Sequence, residues 1–285
     1  MAMTTRAIDL MHLGNDRVIC AYELHDGLIV DPGPTSCIEA LIDGLGPVVP
    51  RALMLTHIHL DHAGAAGTLA ARFPRLQVFV HELGAPHLVD PTKLVQSASR
   101  LYGDAMGRLW GDVEPVPEER IHVLKGGESV EGLLVAPTPG HASHHVSYLS
   151  TDSGDAFVGD VAGVRVPPHE HTLAPTPPPE IDVERWLDSL HTVAAWDPAA
   201  LCLTHFGRAT DVEDQLHRVR TSLLDNADLA RRAGEEEFIR ELDAAGLEAT
   251  DEPAAERLRQ AAPTDQLYMG LERYWRKRAE REAGA

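Results

Sequence analysis

Leu53-Met54-Leu55-Thr56-His57-Ile58-His59-Leu60-Asp61-His62-Ala63-Gly64 is an apolar run that ends in four metal-capable side chains within six residues. The spacing predicts a short buried strand over Arg51–Thr56. In extended backbone, residues i, i+2 and i+4 point to one side. His57, His59 and Asp61 are therefore expected to face one site as the strand ends. His62 follows where small residues open a helix over Ala63–Arg72, and the turn aims it at a neighbouring position. Ligands from a strand end and from the turn after it suit two adjacent metal ions. A single histidine at a strand end would be read as solvated; four donors together, flanked by Gly64 and Gly67, read as a site. Imidazole mixed with carboxylate suits zinc, iron or manganese, whereas calcium takes oxygen ligands.

Outward from this stretch, the 285 residues have ordinary globular composition, 44% hydrophobic and 24% charged. This excludes a disordered chain. No apolar run approaches the ~20 residues of a membrane span, and Met1–Arg6 leads into no apolar signal segment. A net charge of −19 opposes nucleic-acid and membrane-surface partners. Cys20, Cys37 and Cys202 form no CxxC pair and make a poor disulfide framework. A cytoplasmic protein acting on a small molecule is the expectation.

Strand patterns at Val18–Glu23, Leu28–Val30, Leu76–Val80, Leu133–Ala136, Val146–Ser150, Ala156–Val158 and Ala200–Thr204 alternate with helical patterns at Ser36–Leu45, Thr92–Trp110 and Ile181–Trp196. Such alternation predicts an α/β or mixed sandwich. Val164–Pro179 holds six prolines and reads as irregular. After Asp211 the chain reads as charged helix, with Glu235-Glu236-Glu237 a solvated helix start. Residues 1–210 are thus expected to form a catalytic domain and 211–285 a helical C-terminal extension packed on it, where a homodimer contact would fall.

The His57-x-His59-x-Asp61-His62 run resembles the signature of the metallo-β-lactamase superfamily of binuclear metallohydrolases. That family carries further landmarks, and they occur here in order: Asp31-Pro32-Gly33, Thr138-Pro139-Gly140-His141, Gly159-Asp160 and Thr204-His205. The resemblance implies a four-layer αβ/βα sandwich with the helical extension added. It implies two divalent ions, zinc first and iron or manganese next. His57, His59 and His141 would hold one ion, Asp61, His62 and His205 the other, and Asp160 would bridge. Asp31 would orient ligands through hydrogen bonds, with His145 in a similar supporting role. A hydroxide formed between the ions would be the nucleophile, with Asp61 and Asp160 the catalytic carboxylates.

Within the family, keeping Asp160 argues against antibiotic hydrolysis, and His59 stands where the flavo-diiron branch has Glu. Pro139-Gly140-His141-Ala142-Ser143-His144-His145 is similar to the pattern of glyoxalase II-like thioesterases. The N-acyl-homoserine lactonases usually carry a Tyr where Gly163 stands here. A small ester, thioester or lactone is the expected substrate, with phosphodiesterase activity or a silent metal-binding protein as alternatives. Of His144 and His145, strand alternation lets one face the site. Phe206, His169 and His171 are the candidate substrate contacts, while Tyr102 and Trp110 read as core or lid. Specificity is expected to lie in Val164–Pro179, Thr92–Trp110 and the C-terminal helices.

Overall fold

The computed structural model describes residues 5–283, so the reading of Met1–Thr4 above lies outside the described residues. One six-stranded sheet is ordered β1 (Arg6–Asp9), β2 (Cys20–Leu24), β3 (Leu28–Val30), β4 (Ala52–Met54), β5 (Gln77–His81), β6 (Ile121–Leu124). The second holds β7 (Ser129–Val130), β8 (Leu133–Pro137), β9 (Val146–Ser150), β10 (Asp155–Gly159), β13 (Ala200–Leu203) and β14 (Gly207–Ala209). Between β10 and β13 the chain also forms a ribbon of β11 (Val164–Arg165) and β12 (Thr172–Leu173). The proline-rich segment is thus not wholly irregular: its prolines at 167 and 168 lie in the loop between the two short strands. The helices on the first sheet's side are α1 (Ile38–Leu45), α2 (Leu60–Ala63), α3 (Ala66–Arg72), α4 (Ala85–Val89), α5 (Thr92–Tyr102) and α6 (Met106–Leu109). Then come α7 (Val183–Ala195), α8 (Val212–Arg232), α9 (Glu235–Ala249), α10 (Glu252–Ala261) and α11 (Thr264–Ala283).

Alternation along the strands sorts the core into layers. Cys20, Tyr22 and Leu24 of β2, Met54 of β4, Phe157 of β10 and Cys202 of β13 pack together between the sheets. Their neighbours Ala21, Ile29 and Leu53 face the other way, against Leu41 and Leu69 of α1 and α3. Across the molecule Val158, Leu201 and Leu203 pack with Trp186 of α7 and with Val219, Phe238 and Leu271 of the C-terminal helices. Both faces of the central strands are covered, which is why they read as continuous apolar runs rather than half-polar ones. The result is a four-layer αβ/βα sandwich. The C-terminal helices have no separate core; they share the cluster built around Trp186.

The helix expected over Thr92–Trp110 is divided at Gly103, whose φ of 50° ends α5 before α6 begins. No helix among the described residues is long and apolar enough to cross a membrane.

Candidate metal centre

The chemistry-bearing residues gather along one edge, where strands of both sheets end. Asp31 follows β3, His57–His62 follow β4, His141 lies in the turn between β8 and β9, Asp160 follows β10 and His205 follows β13. The run after β4 is not extended throughout: His59 keeps extended backbone, and Asp61 and His62 sit in the single turn of α2. That switch separates the donors. His57, His59, His141 and Asp160 present ligand atoms within 4.8 Å of one another, and so do Asp61, His62 and His205.

Asp160 stands between the two groups. Its Oδ2 is 3.2 Å from His141 Nε2 and 4.0 Å from His57 Nε2. Its Oδ1 is 3.2 Å from His62 Nε2 and 3.6 Å from His205 Nε2. Asp61 Oδ2 lies 3.3 Å from His205 Nε2 and 3.8 Å from His62 Nε2. Four atoms here, the Nε2 of His57, His62 and His205 and the Oδ1 of Asp160, are buried without a hydrogen-bond partner. Buried polar atoms left unpaired are costly. Converging lone pairs of imidazole and carboxylate fit a transition-metal cation, which would satisfy all of them.

Each imidazole is held by its other nitrogen. His62 Nδ1 donates to Asp31 Oδ2 (2.8 Å), His141 Nδ1 to the Pro175 carbonyl (2.8 Å) and His205 Nδ1 to the Val18 carbonyl (2.7 Å). Thr56 Oγ1 gives its proton to Asp31 Oδ2 (2.7 Å) and so accepts from His57 Nδ1 (3.1 Å). These bonds fix the tautomers and turn Nε2 of all four rings towards the centre, where those of His57, His62 and His205 have no hydrogen-bond partner. His59 instead turns Nδ1 inward, 2.9 Å from His141 Nε2. Burial, then the neighbouring imidazoles, holds His57 well below the usual histidine range; burial chiefly brings His59 down to about 4. Neutral imidazole is the ligating form. For His62 burial acts downward, but the carboxylates of Asp160, Asp61 and Asp31 outweigh it and raise the ring well above its ordinary value. Burial acts upward on Asp160, and His62, His141 and His205 outweigh it and hold the carboxyl well below its usual range.

The metallo-β-lactamase superfamily model matches residues 25–205. This chain belongs to that superfamily. It is 32% identical to the YobT protein of Bacillus subtilis over 134 residues, 47% of this chain and 55% of that one. It is 27% identical over 231 residues to the metallo-β-lactamase fold-containing protein ST1585 of Sulfurisphaera tokodaii, 76% and 84% of the two chains. The crystal structure of ST1585 superposes with a TM-score of 0.68 over 95% of this chain and 99% of that one, at 21% identity. A hydroxyacylglutathione hydrolase of Thermosynechococcus vestitus is 28% identical over 142 residues, 48% of this chain and 46% of that one. Apart from ST1585, these matches reach only about half the relatives' length.

Around the superfamily's donors, the supporting contacts are dense. Asp31 is fully buried and accepts from Thr56 N, Thr56 Oγ1, His62 Nδ1 and Thr204 Oγ1. His145 Nδ1 bonds to Thr138 Oγ1 (2.8 Å), and its Nε2 accepts the backbone N–H of Asp160 (3.3 Å). Gly159 lets Asp160 come this close: a Cβ there would fall 2.6 Å from Thr56 Oγ1 and 2.7 Å from His145 Nε2, at a φ of 47°. His144 and His145 do not alternate as expected of strand residues, because residues 142–145 form a turn and the strand begins at Val146. Both rings approach the site, with centroids 6.1 and 5.0 Å from that of His57.

A cavity of about 510 Å³ opens over the centre, with His59, Asp61, Asp160 and His205 in its lining. Its other walls come from α5, from α10 and α11, and from the prolines at 175 and 177–179. Phe206, His169 and His171 do not line it. Phe206 packs beneath the site against the inter-sheet core. His169 pairs with Asp251 at 3.4 Å. His171 is half-buried away from the cavity. Tyr102 and Trp110 do line it, their rings edge to face at 5.1 Å, with Trp110 stacked on His12. The hydrogen-bonding roles of Thr56 and Thr204 are not visible in the sequence, although each directly precedes a site histidine at a strand end. Nothing local singles out His12.

Proposed function

We propose that this chain is a binuclear metal-dependent hydrolase of a small ester, thioester or lactone, using zinc ahead of iron or manganese. One observation carries the reading: the two oxygens of Asp160 are directed at two separate donor groups. His57, His59 and His141 would hold one ion, Asp61, His62 and His205 the other, with Asp160 between them. When bound, such a pair supplies water deprotonated near neutral pH and polarises the electrophile's oxygen. Asp61 keeps 21% of its side chain exposed on the cavity side and can accept a hydrogen bond from incoming water, orienting it. His145 and Asp31 hold Asp160 and His62 in place, so the donors are set before substrate arrives.

The thiols offer no competing nucleophile. Cys20, Cys37 and Cys202 are buried, and burial pushes Cys20 up to about 12 and Cys37 up to about 11, so neither supplies thiolate at neutral pH. Largely apolar cavity walls favour an acyl compound over a phosphodiester. The match to a hydroxyacylglutathione hydrolase over about half its length supports a thioester within that class.

The test is a panel of thioesters, lactones, β-lactams and phosphodiesters, run on protein whose metals have been measured by mass spectrometry. The expected result is about two transition-metal ions per chain and turnover of an acyl substrate that a chelator removes. Phosphodiester turnover alone, or pure folded protein that takes up no transition metal, would overturn the proposal.

A further inference from the structure

Helix α5 carries Leu94, Ala98 and Leu101 at i, i+4 and i+7, a stripe that ordinarily packs into a core. Yet no residue of α5 is fully buried: Leu94 packs partly against the first sheet's core, and all three residues of the stripe line the cavity. Ala261, Leu267 and Met269 of the C-terminal segment line the same space, and Met269 keeps 41% of its surface exposed. These two apolar surfaces do not close on each other; about 510 Å³ stays open between the cavity walls. Protein interiors normally collapse to close packing, and a persistent apolar cavity of this size is typical of a ligand pocket. The wall is fixed rather than loose. Gln260 Nε2 bonds to His12 (3.0 Å to Nδ1), its Oε1 accepts from Asn15, and Arg257 pairs with Asp16. Tyr102 bonds to Gln266 at 3.3 Å, joining α5 to α11.

We infer that the cavity takes an apolar acyl chain of the substrate, with the scissile carbonyl at the histidine–aspartate centre. This rests on the hydrolase reading for the reaction, though not for the binding of the chain. The observation that selects this occupant is continuity: the same cavity has Asp61 and His205 in its lining and apolar side chains from three separate elements around them. A lactoyl- or acetyl-sized group would leave most of it empty. Each methylene that leaves water for these walls should raise kcat/KM by about fourfold until the cavity is full.

Two measurements test this. The first is kcat/KM over straight-chain thioesters from acetyl to dodecanoyl. The second is calorimetric binding of straight-chain alcohols from butanol to decanol, which needs no metal and no turnover. Ala98→Phe and Ala261→Phe place a ring in the cavity; metal content and melting temperature check that each variant folds. Rising activity and affinity with chain length are expected, with the decanoyl-to-acetyl ratio cut by roughly tenfold or more in at least one variant. Turnover with a flat length profile, unmoved by both variants, would sink the acyl-chain assignment and leave the hydrolase reading standing. Length-dependent alcohol binding that the variants abolish, with no substrate hydrolysed, would support the assignment and end the hydrolase reading instead.

Discussion

Replacing Asp31 by Asn tests whether this buried carboxylate organises the centre. Asp31 Oδ1 accepts one bond, from Thr56 N at 2.8 Å, and Oδ2 accepts three, from Thr56 Oγ1, His62 Nδ1 and Thr204 Oγ1 at 2.7, 2.8 and 3.0 Å. An asparagine side chain has one acceptor oxygen and one donor nitrogen. Its better orientation keeps the oxygen at the three-donor position and turns the amide nitrogen towards Thr56 N–H, where two donors then meet. One buried donor is lost outright, at a cost of about 1–3 kcal/mol, and the remaining bonds lose their charge assistance. A loss of about 2 kcal/mol lowers the melting temperature of a chain this size by roughly 4 °C. The His62 ring also loses the anion that anchors its Nδ1–H, and supporting contacts of this kind are worth about tenfold to a hundredfold in metal affinity. Thermal unfolding of the metal-free variant reads the first effect, and competitive chelator titration reads the second. An Asp31→Asn protein that melts with the parent and holds its metal as tightly would refute the reasoning.

Asp160→Ala removes the carboxylate directed at both donor groups, so metal content should fall below the parent's and turnover should drop by about 10²-fold or more; full activity with the metal retained would contradict the role. Gly159→Ala needs a left-handed residue and a Cβ within 2.6 Å of Thr56 Oγ1, so it should lower both melting temperature and metal content, as unfolding curves and metal analysis would report. His144 is lowered to about 3, chiefly by burial, against an unfolded value near 6.5. The unfolded chain therefore binds this proton first: the stability is present above about pH 6.5 and drains away as pH falls towards 3. His62 and His205 are raised and contribute with the opposite sign, so the comparison is between parent and His144→Gln in metal-free protein. The variant should lose less stability between neutral and acid pH by urea denaturation; parallel losses would count against it.

The donor set was legible because ligand chemistry needs particular side chains at particular strand ends. His57-x-His59-x-Asp61-His62, His141, Asp160 and His205 each follow an apolar run, and the structure brings them to one edge. The central strands were legible because both of their faces are covered: Leu28, Ile29 and Val30 are all buried and so stand as an unbroken apolar run. The edge strands β1, β6 and β14 were not. Arg6–Asp9 and Gly207–Ala209 are short and partly charged, and Ile121–Leu124 leaves His122 and Val123 exposed, so none shows a clean apolar pattern. The cavity was half legible. Thr92–Trp110, the prolines and the C-terminal helices do wall it, but which residues meet was hidden: Tyr102 and Gln266 are 164 positions apart, and Gln260 is 248 from His12. Phe206 shows the converse error. Adjacency to His205 suggested a shared site, but residues 204–206 form the turn after β13, and Phe206 packs against the layer between the sheets.

The position of the donors ties folding to function. His57, His59, Asp61 and His62 are carried by the first sheet, while His141, Asp160 and His205 are carried by the second. The protein's own cross-links at this edge include Val146 N to the Thr56 carbonyl at 2.8 Å, Cys20 N to the Thr204 carbonyl at 2.9 Å, His205 Nδ1 to the Val18 carbonyl at 2.7 Å, and the Tyr22 and Tyr148 hydroxyls to carbonyls of the opposite sheet at 2.6 Å. Asp31 adds a further one, because it joins Thr56 of the first sheet to Thr204 of the second. A sliding of one sheet on the other would break these bonds and separate the oxygens of Asp160 from His62 together. These cross-links hold the seam and so keep the donors close, with the Nε2 atoms of His57, His62 and His205 buried and without a hydrogen-bond partner. Any ligand that bridges the two groups must in turn stabilise the sandwich by its own binding free energy.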